Sequence, residues 1–507
     1  MANHLFLISF LYFFSGIGYL IIAIRGIVSR NELRIFDLVR LMYSLVYGFI
    51  PFILYIQESY GQRNLYFYDY SLSGLSRIYL MWFLSVVAYG LMNLAYLSVK
   101  QKTVSALVNA DDKTSDVITT HVTFTNRNYS SRLIICGIIS LVIGWVCLFL
   151  WTRAYGSINN FILNGALIRS NRGTIYNPLA FLKHFVLILP LSLYSLVSAY
   201  FYERPKILRK ILYVILISLS LFGNYLYFLA SDSRITIIFI GLALLVITLK
   251  HRKKEKIASY LIIAACIILA LLLITMLADT FTYYVRHGVW RNSYSGFFIN
   301  FTKEFNFIVS SDMRVIKAWI TGELEIQIVN DFLTAITSWI PERFVPFEIP
   351  QTIWKYNTYL YESGHSGTAP TSLVATSIYE LGLLGIIVFP FFFGLVTGHI
   401  ERILRRNNTS VYCDVYYGLF AGLFVQMISH NQISTFVTKL FPAFLFFLIS
   451  TGVDLIFRRS KKTASAPIMP DLTDEENKDR KADKDEGRRS YNRYFDDPIG
   501  YVEDDED

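Results

Sequence analysis

Long apolar stretches recur along this chain and alternate with shorter polar or charged stretches. A helix needs ~20 mostly apolar residues to cross a bilayer, and the chain offers such windows repeatedly from residue 5 to residue 457. The pattern therefore predicts about eleven transmembrane helices, in a range of about 10 to 12. The predicted spans are 5–24, 35–56, 77–98, 133–152, 179–201, 208–229, 235–249, 258–278, 373–398, 411–429 and 438–457.

The composition agrees with an all-α, polytopic helical integral membrane protein. Of the 507 residues, 54% are hydrophobic and only 17% are charged, whereas soluble domains carry about 25% charged residues. These values exclude a water-soluble enzyme, an extracellular module and a long disordered protein. The four cysteines lie in or at the edge of predicted spans, and we interpret them as small core residues rather than as disulfides or zinc ligands.

Positively charged residues predict how the helices are oriented. Cytoplasmic loops of membrane proteins are enriched in Lys and Arg, and the basic residues of this chain cluster in alternate loops. We therefore predict a multi-pass protein with its amino terminus outside and its carboxyl terminus in the cytoplasm. These loops account for the net charge of +9, so the charge does not indicate a nucleic-acid partner. The predicted cytoplasmic clusters lie at 25–34, 100–127, 204–210, 250–256, 402–406 and 458–462.

The same pattern divides the chain into four regions. Residues 1–278 hold N-terminal transmembrane helices and residues 373–457 hold C-terminal ones. Residues 279–372 form a large, aromatic-rich extracytoplasmic segment, in which apolar residues at near-helical spacing predict short helices on the outer face. Residues 458–507 contain eleven Lys/Arg and fifteen Asp/Glu with hardly any aliphatic residues, which predicts a disordered cytoplasmic tail.

Two short predicted outer loops carry arginines suited to a phosphate group. Arg169 and Arg172 lie three residues apart in one loop, and a planar guanidinium pairs bidentately with phosphate oxygens. Arg234 follows Asp232 and Ser233 in a very short loop, which holds it at the membrane boundary. The alternatives are a solvated loop or lipid-headgroup contact for the first pair and a snorkelling Arg234 paired with Asp232 for the second.

A cluster of cationic and aromatic residues follows the predicted span 258–278, where Arg286 and Arg291 flank Trp290. Aromatic faces stack on sugar rings and guanidinium groups hold anions, so the cluster is a candidate binding surface for a glycan and its phosphate. Interfacial Trp and Arg residues are also typical of plain membrane anchors.

The stretch from Gly364 to Gly385 is the strongest candidate for chemistry. It begins as a Gly-rich loop with His365 and continues into a predicted span whose outer turns hold Glu380 among apolar residues. Burial raises the pKa of a glutamate, and histidine accepts a proton near neutral pH, so each is a candidate general base. The alternatives are an exposed loop histidine and a carboxylate that only accepts a hydrogen bond at a helix end.

Common motifs for metal or nucleotide chemistry are absent from the sequence. It has no G-x-x-x-x-G-K-[ST] loop, no H-E-x-x-H and no C-x-x-C. No D-x-D motif lies in the predicted outer segments, where a Mg²⁺ site would need carboxylates. We therefore expect neither a metal ion nor a cofactor.

The general plan and one motif resemble the Wzy/O-antigen polymerase family and the related O-antigen ligases. The plan consists of many spans with one large outward segment late in the chain. The motif is a histidine loop that runs into an E-x-G-x-x-G-type span, here His365 followed by Y-E-L-G-L-L-G at 379–385. The pair Ser233 and Arg234 after an apolar span also looks like the short serine-arginine element of these proteins.

This resemblance implies a glycosyltransferase with a GT-C-like membrane architecture. It would join oligosaccharide repeat units of the O-antigen or capsule type by inverting, metal-independent transfer on the outer face of the bacterial cytoplasmic membrane. The implied substrates are undecaprenyl-diphosphate-linked oligosaccharides, and the implied partners are membrane lipids, a chain-length regulator and a flippase. An O-antigen-type ligase is an alternative within the same chemistry. A flippase or transporter of lipid-linked oligosaccharide is a second alternative, because two cationic residues, Arg40 and Lys183, lie inside predicted spans.

The resemblance also implies roles for individual residues. His365, or failing it Glu380, would accept the proton of the acceptor hydroxyl. The residues implied to neutralise the departing lipid diphosphate are Arg169, Arg172, Arg234, Arg286 and Arg291. The residues implied to bind the glycan are Trp290, Trp354 and Tyr361.

Overall fold

The computed structural model describes most of the chain, and it is helical throughout the described part. Its one β-type contact among those residues is an isolated antiparallel bridge between Thr371 and Asn431. The described residues are 2–30, 32–60, 72–99, 118–165, 177–230, 234–251, 289, 297–337, 340, 344–347, 353–359, 370–407 and 410–464.

Seventeen α-helices and one π-helical turn make up the described part. The π turn, Leu45–Phe49, joins α2 to α3 without a break in direction. The helices are α1 Ala2–Arg30, α2 Ile35–Ser44, α3 Ile50–Ser59, α4 Leu72–Ser98, α5 Ile118–Arg153, α6 Ile158–Leu163, α7 Leu182–Val186, α8 Leu189–Glu203, α9 Ile207–Ala230, α10 Arg234–His251, α11 Phe297–Thr321, α12 Ile328–Thr337, α13 Ile353–Tyr359, α14 Leu373–Leu381, α15 Leu383–Arg406, α16 Cys413–Ser429 and α17 Ile433–Ala464.

Eight helical segments in the described part are long and apolar enough to cross a membrane, which confirms the predicted all-α polytopic membrane protein. The shorter apolar helices Ile237–His251 and Cys413–Ser429 coincide with two more predicted spans. The predicted span 258–278 lies outside the described residues. The eight spanning segments are Asn3–Arg30, Ile35–Ser59, Gly74–Ser98, Tyr129–Arg153, Leu182–Glu203, Ile207–Phe228, Leu383–Arg406 and Ile433–Phe457.

The predicted continuous span 373–398 is wrong, because the structure breaks it into α14 and the spanning helix α15. Gly382 lies between them with φ +61°, a backbone conformation that side chains with a Cβ rarely adopt. A Cβ on Gly385 would lie 1.7 Å from the carbonyl oxygen of Ser377, so α14 packs directly against the start of α15. Both helices are rich in apolar residues, and hydropathy therefore cannot reveal the break between them.

Two hydrogen bonds join the start of α14 to the helix bundle. The hydroxyl of Tyr47, within the spanning segment Ile35–Ser59, accepts from the backbone N–H of Val374 at 2.9 Å. The N–H of Asn431, which lies just before the beginning of α17, donates to the carbonyl of Thr371 at 2.7 Å. Such protein partners satisfy backbone groups that a helix does not. The start of α14 is therefore fixed against one spanning segment and the turn that precedes another.

The described part of the segment 279–372 contains the helices α11, α12 and α13, as predicted, although α11 is longer than the short helices we expected. Helix α17 runs to Ala464, which places the beginning of the predicted tail inside a helix. Residues Met1–Val453 form one compact unit and Asp454–Asp507 form a second. The finer division at residues 278, 372 and 457 stays a prediction.

Candidate functional site

Glu380 is fully buried on the last turn of α14, outside the eight spanning segments. Neither of its carboxylate oxygens has a hydrogen-bond partner among the described residues. Burial, together with the nearby negative charge of Asp331, raises the pKa of Glu380 to about 8. A carboxyl group with this pKa exchanges a proton close to neutral pH, which is the property that a general acid or base requires.

Asp331 on α12 lies beside Glu380 but is held very differently. Its carboxylate accepts hydrogen bonds from the Gln432 side-chain amide at 3.0 Å, the Ser434 backbone N–H at 3.1 Å and the Ser434 hydroxyl at 3.2 Å. These donors belong to the first residues of α17 and the turn before it, where the helix dipole also favours an anion. Burial still raises the pKa of Asp331 above its ordinary value. Asp331 is therefore held by three hydrogen bonds, whereas the buried oxygens of Glu380 have no hydrogen-bond partner among the described residues.

A third buried carboxylate, Asp312 on α11, fixes the beginning of α14. The hydroxyl of Ser372 donates to Asp312, and the same Ser372 oxygen accepts from the backbone N–H of Ala375 at 3.0 Å, which caps the helix. Capping by Ser at this position is typical of helix starts. Asp312 and Ser372 thus determine where α14 begins, and through it where Glu380 is placed.

Trp354 on α13 contacts the same region through the carbonyl oxygen of Asn431. The indole N–H of Trp354 donates to that oxygen at 2.9 Å. The hydroxyls of Thr371 and Thr376 donate to it as well, at 2.8 Å and 3.1 Å. Thr376 lies one helical turn before Glu380. The Asn431 carbonyl therefore links Trp354, a predicted glycan-binding residue, to the helix that carries Glu380, a predicted base.

His430 lies in the same turn, between α16 and α17, and is 6% exposed. Its Nδ1 is 2.9 Å from the hydroxyl of Ser429, and its ring packs edge-on against Phe307 and Trp354. The hydrogen bond to Ser429 and the aromatic contacts fix the orientation of the imidazole. His430, Asn431, Trp354, Asp331 and Glu380 are referred to below as the polar cluster.

Hydrogen bonds of two tyrosines connect α13 to its neighbours. The Tyr379 hydroxyl donates to the side-chain carbonyl of Asn357 at 2.7 Å, and the Tyr379 carbonyl accepts from the Gln327 backbone N–H at 2.9 Å. The Tyr356 hydroxyl donates to the carbonyl of Glu323 at 3.2 Å. These bonds join α13 and α14 to the connection between α11 and α12.

The structure places three of the ten predicted site residues. Glu380 and Trp354 come together in the polar cluster, and Arg234 is the first residue of α10. The other seven lie outside the described residues: His365, Arg169, Arg172, Arg286, Arg291, Trp290 and Tyr361.

Sequence reasoning did not find Asp312, Asp331 or His430. Asp331 and Glu380 are far apart in the sequence, and only folding brings them near each other from different helices. A usable signal existed for His430, because the polar run Ser-His-Asn-Gln at 429–432 separates two apolar windows. In the part of the chain that the structure describes, no group of three or more His, Cys, Asp or Glu side chains is arranged to hold a metal ion.

The polar cluster therefore offers a buried, unpartnered carboxyl group, a fixed carboxylate beside it and two aromatic side chains. This arrangement can move a proton and contact a sugar face. Comparison with protein-family models, with curated proteins and with solved structures finds no match to this chain.

Proposed function

We propose that this protein is a membrane glycosyltransferase that polymerises lipid-linked oligosaccharide repeat units on the outer face of the bacterial cytoplasmic membrane. The observation that carries the proposal is Glu380, a buried carboxyl group with no hydrogen-bond partner in the described residues and a pKa of about 8. The resemblance to the Wzy/O-antigen polymerase family supplies the class of substrate.

The proposed reaction needs one base and one stabilised leaving group. A sugar hydroxyl of the acceptor unit attacks the anomeric carbon of the donor, and the bond from that carbon to the diphosphate oxygen breaks with inversion. Ionised Glu380, or His365, takes the hydroxyl proton, so the new glycosidic bond forms without charge building on its oxygen. The diphosphate leaves as an anion, which the proposed arginines stabilise: Arg169, Arg172, Arg234, Arg286 and Arg291.

Aromatic side chains would hold the glycan beside this base. Trp354 contacts the turn that also holds the helix of Glu380, through the shared carbonyl of Asn431. We propose that Trp354 packs against a sugar ring, together with Trp290 and Tyr361. A pyranose presents C–H groups that suit an aromatic face.

Ion pairs at the other end of the helix bundle support the proposed orientation. Arg405 contacts Glu32 at 3.0 Å, and Lys250 contacts Asp414 at 2.6 Å. These pairs lie at the ends of α10 and α15 and at the beginning of α16. The sequence predicts cytoplasmic loops next to these helix ends. The polar cluster lies near the opposite ends of α15 and α16. This arrangement supports the proposed orientation, with a basic cytoplasmic end, a site facing outward, the amino terminus outside and the carboxyl terminus inside.

A transport function is the second candidate, and the break between α14 and α15 favours it. Discontinuous helices are typical of substrate sites in transporters. Here Gly382 separates α14 from the spanning helix α15, and the buried carboxylate of Asp312 lies at the start of α14. A flippase for the same lipid-linked oligosaccharides would use this break as part of the path along which its substrate crosses the membrane.

The gene deletion strain separates these functions. Surface polysaccharide is resolved by size, and the lipid-linked intermediates are extracted and assigned to a membrane leaflet. Single repeat units on the outer-leaflet carrier are the expected result. Long chains stranded on that carrier would instead identify a ligase, and repeat units trapped on the cytoplasmic leaflet would identify a flippase. Complementation with Glu380→Gln then tests whether the polar cluster is responsible.

A further inference from the structure

A groove with mainly apolar walls lies between α8, α10, α16 and α17, one helical turn from His430 along α16. Tyr194, Phe239 and Leu423 line it, and its polar side chains include Gln426 and Lys439. The wall residues Tyr194, Phe239 and Leu423 are almost completely buried, and Lys439 is half-buried. We call these five residues the lysine groove. Its combination of apolar walls and one cation is unusual within a membrane span.

Lys439 has no counter-ion in the described part of the chain. It lies in the spanning segment Ile433–Phe457, and its ammonium group donates to the side-chain carbonyl oxygen of Gln426. A neutral amide satisfies a donor but does not neutralise the charge. By contrast, Lys250 contacts Asp414 at 2.6 Å, and the buried Arg40 contacts Asp37 at 3.2 Å. An ammonium group in a membrane span without a carboxylate is expected to pair with an anion.

The surroundings determine which anion fits. Apolar walls cannot solvate a free inorganic ion, but they pack well against a hydrocarbon chain. The groove presents its cation beside those walls, so an amphiphile with a negative headgroup and an apolar chain complements both features. The Gln426 side chain can contact both partners, because its oxygen accepts from Lys439 while its N–H groups, which have no hydrogen bond to the described residues, can donate to a phosphate oxygen.

We propose that the lysine groove binds an anionic membrane lipid, with the lipid phosphate on Lys439 and Gln426 and one hydrocarbon chain along Phe239 and Leu423. This site is independent of the glycosyl transfer proposed above. It needs only the charge, the walls and the position of Lys439 within a membrane span.

Photocrosslinking of the purified full-length protein tests the proposal. The protein is placed in phosphatidylcholine nanodiscs that contain a small fraction of phosphatidylglycerol with a photoreactive acyl chain, and crosslinked peptides are mapped by mass spectrometry. We expect crosslinks on α10 and α16 at the groove. Lys439→Gln should lower them roughly tenfold, the effect of losing a charge-assisted hydrogen bond, whereas Lys439→Arg should retain them.

Two further variants keep the test decisive. Lys210→Gln removes an exposed cation of the same type elsewhere and should change nothing at the groove. Leu419→Trp fills the groove from its edge while Lys439 stays in place, and it should also lower the crosslinking. Size-exclusion profiles confirm that each variant is folded.

Several outcomes would overturn the proposal. Equal crosslinking of a photoreactive phosphatidylcholine would show that the headgroup charge does not matter. Displacement of the probe by millimolar inorganic phosphate would identify a free anion rather than a lipid. Crosslinks that persist unchanged in both Lys439→Gln and Leu419→Trp would show that the lipid does not occupy this groove.

Discussion

Glu380 and Asp331 are interacting carboxyl groups on different helices, and only Asp331 is hydrogen-bonded within the described residues. Asp331 receives three hydrogen bonds from Gln432 and Ser434, whereas Glu380 has no hydrogen-bond partner among the described residues. The fixed negative charge of Asp331, added to burial, keeps Glu380 from ionising at its usual pH. This asymmetry assigns the proton exchange to Glu380 and the supporting role to Asp331.

Replacing Glu380 by Gln should abolish most of the activity without unfolding the protein. Gln has the same shape but cannot accept the hydroxyl proton, so we expect a loss of roughly 10²- to 10⁴-fold, the usual contribution of a general base. Polymer formation by membranes is the measurement. Glu325→Gln is the matched control, because Glu325 is exposed. Full activity in Glu380→Gln would transfer the role of base to His365.

The raised pKa of Glu380 also predicts how stability depends on pH. Glu380 keeps its proton up to about pH 8 in the folded protein, whereas an ordinary glutamate loses it near 4.5. Between these values the folded state binds more protons than the unfolded state, so stability is greatest below the lower value and falls as pH rises towards the upper one. The apparent Tm in detergent should therefore fall by several degrees from pH 5 to pH 8.

The Glu380→Gln variant isolates this contribution. It carries no titratable group at the position, so its Tm should vary less with pH than that of the wild-type protein over the same interval. Identical pH dependence in the two proteins would show that Glu380 ionises normally and is not the buried group described here.

The spans could be read from the sequence because length and apolarity are local properties. The sequence also singled out Glu380 as a carboxylate among apolar residues and Trp354 as part of an aromatic-rich segment. The neighbour of Glu380 could not be found in this way, since Asp331 lies on another helix and only packing brings the two together. The break at Gly382 was hidden for a different reason, because apolar residues continue on both sides of it. Features that depend on tertiary contacts or on a single backbone angle could therefore not be predicted from the sequence.

Replacing Asp331 by Asn should affect both stability and the pH profile. An amide can present only one oxygen, so at least one of the donors from Gln432 and Ser434 loses its acceptor, at a cost of about 1–3 kcal/mol. Removing the negative charge lowers the pKa of Glu380, and the rise of activity with pH should therefore move to lower pH. A pH–activity profile measures this. An unshifted profile would mean that Asp331 does not act on the base.

Trp354 should tolerate Phe better than Ala. Phe keeps an aromatic face but loses the N–H bond to the carbonyl of Asn431, which still accepts from Thr371 and Thr376, so the cost should be about 1 kcal/mol. Ala loses the face that is proposed to hold the sugar. We expect near-normal polymer length on gels with Trp354→Phe and short chains with Trp354→Ala. Equally short chains in both would assign the effect to the hydrogen bond rather than to the ring.

The packing of α14 on α15 places Glu380, so a methyl group at their contact should disturb it. In Gly385→Ala the new Cβ would lie 1.7 Å from the Ser377 carbonyl oxygen, and the two helices must separate. Overpacking of this kind costs about 1–3 kcal/mol, and we expect activity to fall as well because Glu380 shifts with α14.

Gly241→Ala is the matched control for that variant, since a Cβ there meets nothing within 4 Å and the position is inside a helix. Ala is the better helix former, so Gly241→Ala should be neutral or stabilising by up to about 1 kcal/mol. Thermal melting and polymer synthesis are measured for both proteins. If Gly385→Ala behaved like Gly241→Ala in both measurements, the close contact with Ser377 would not be what positions Glu380, and the hydrogen bonds of Ser372 and Tyr379 would hold α14 in place instead.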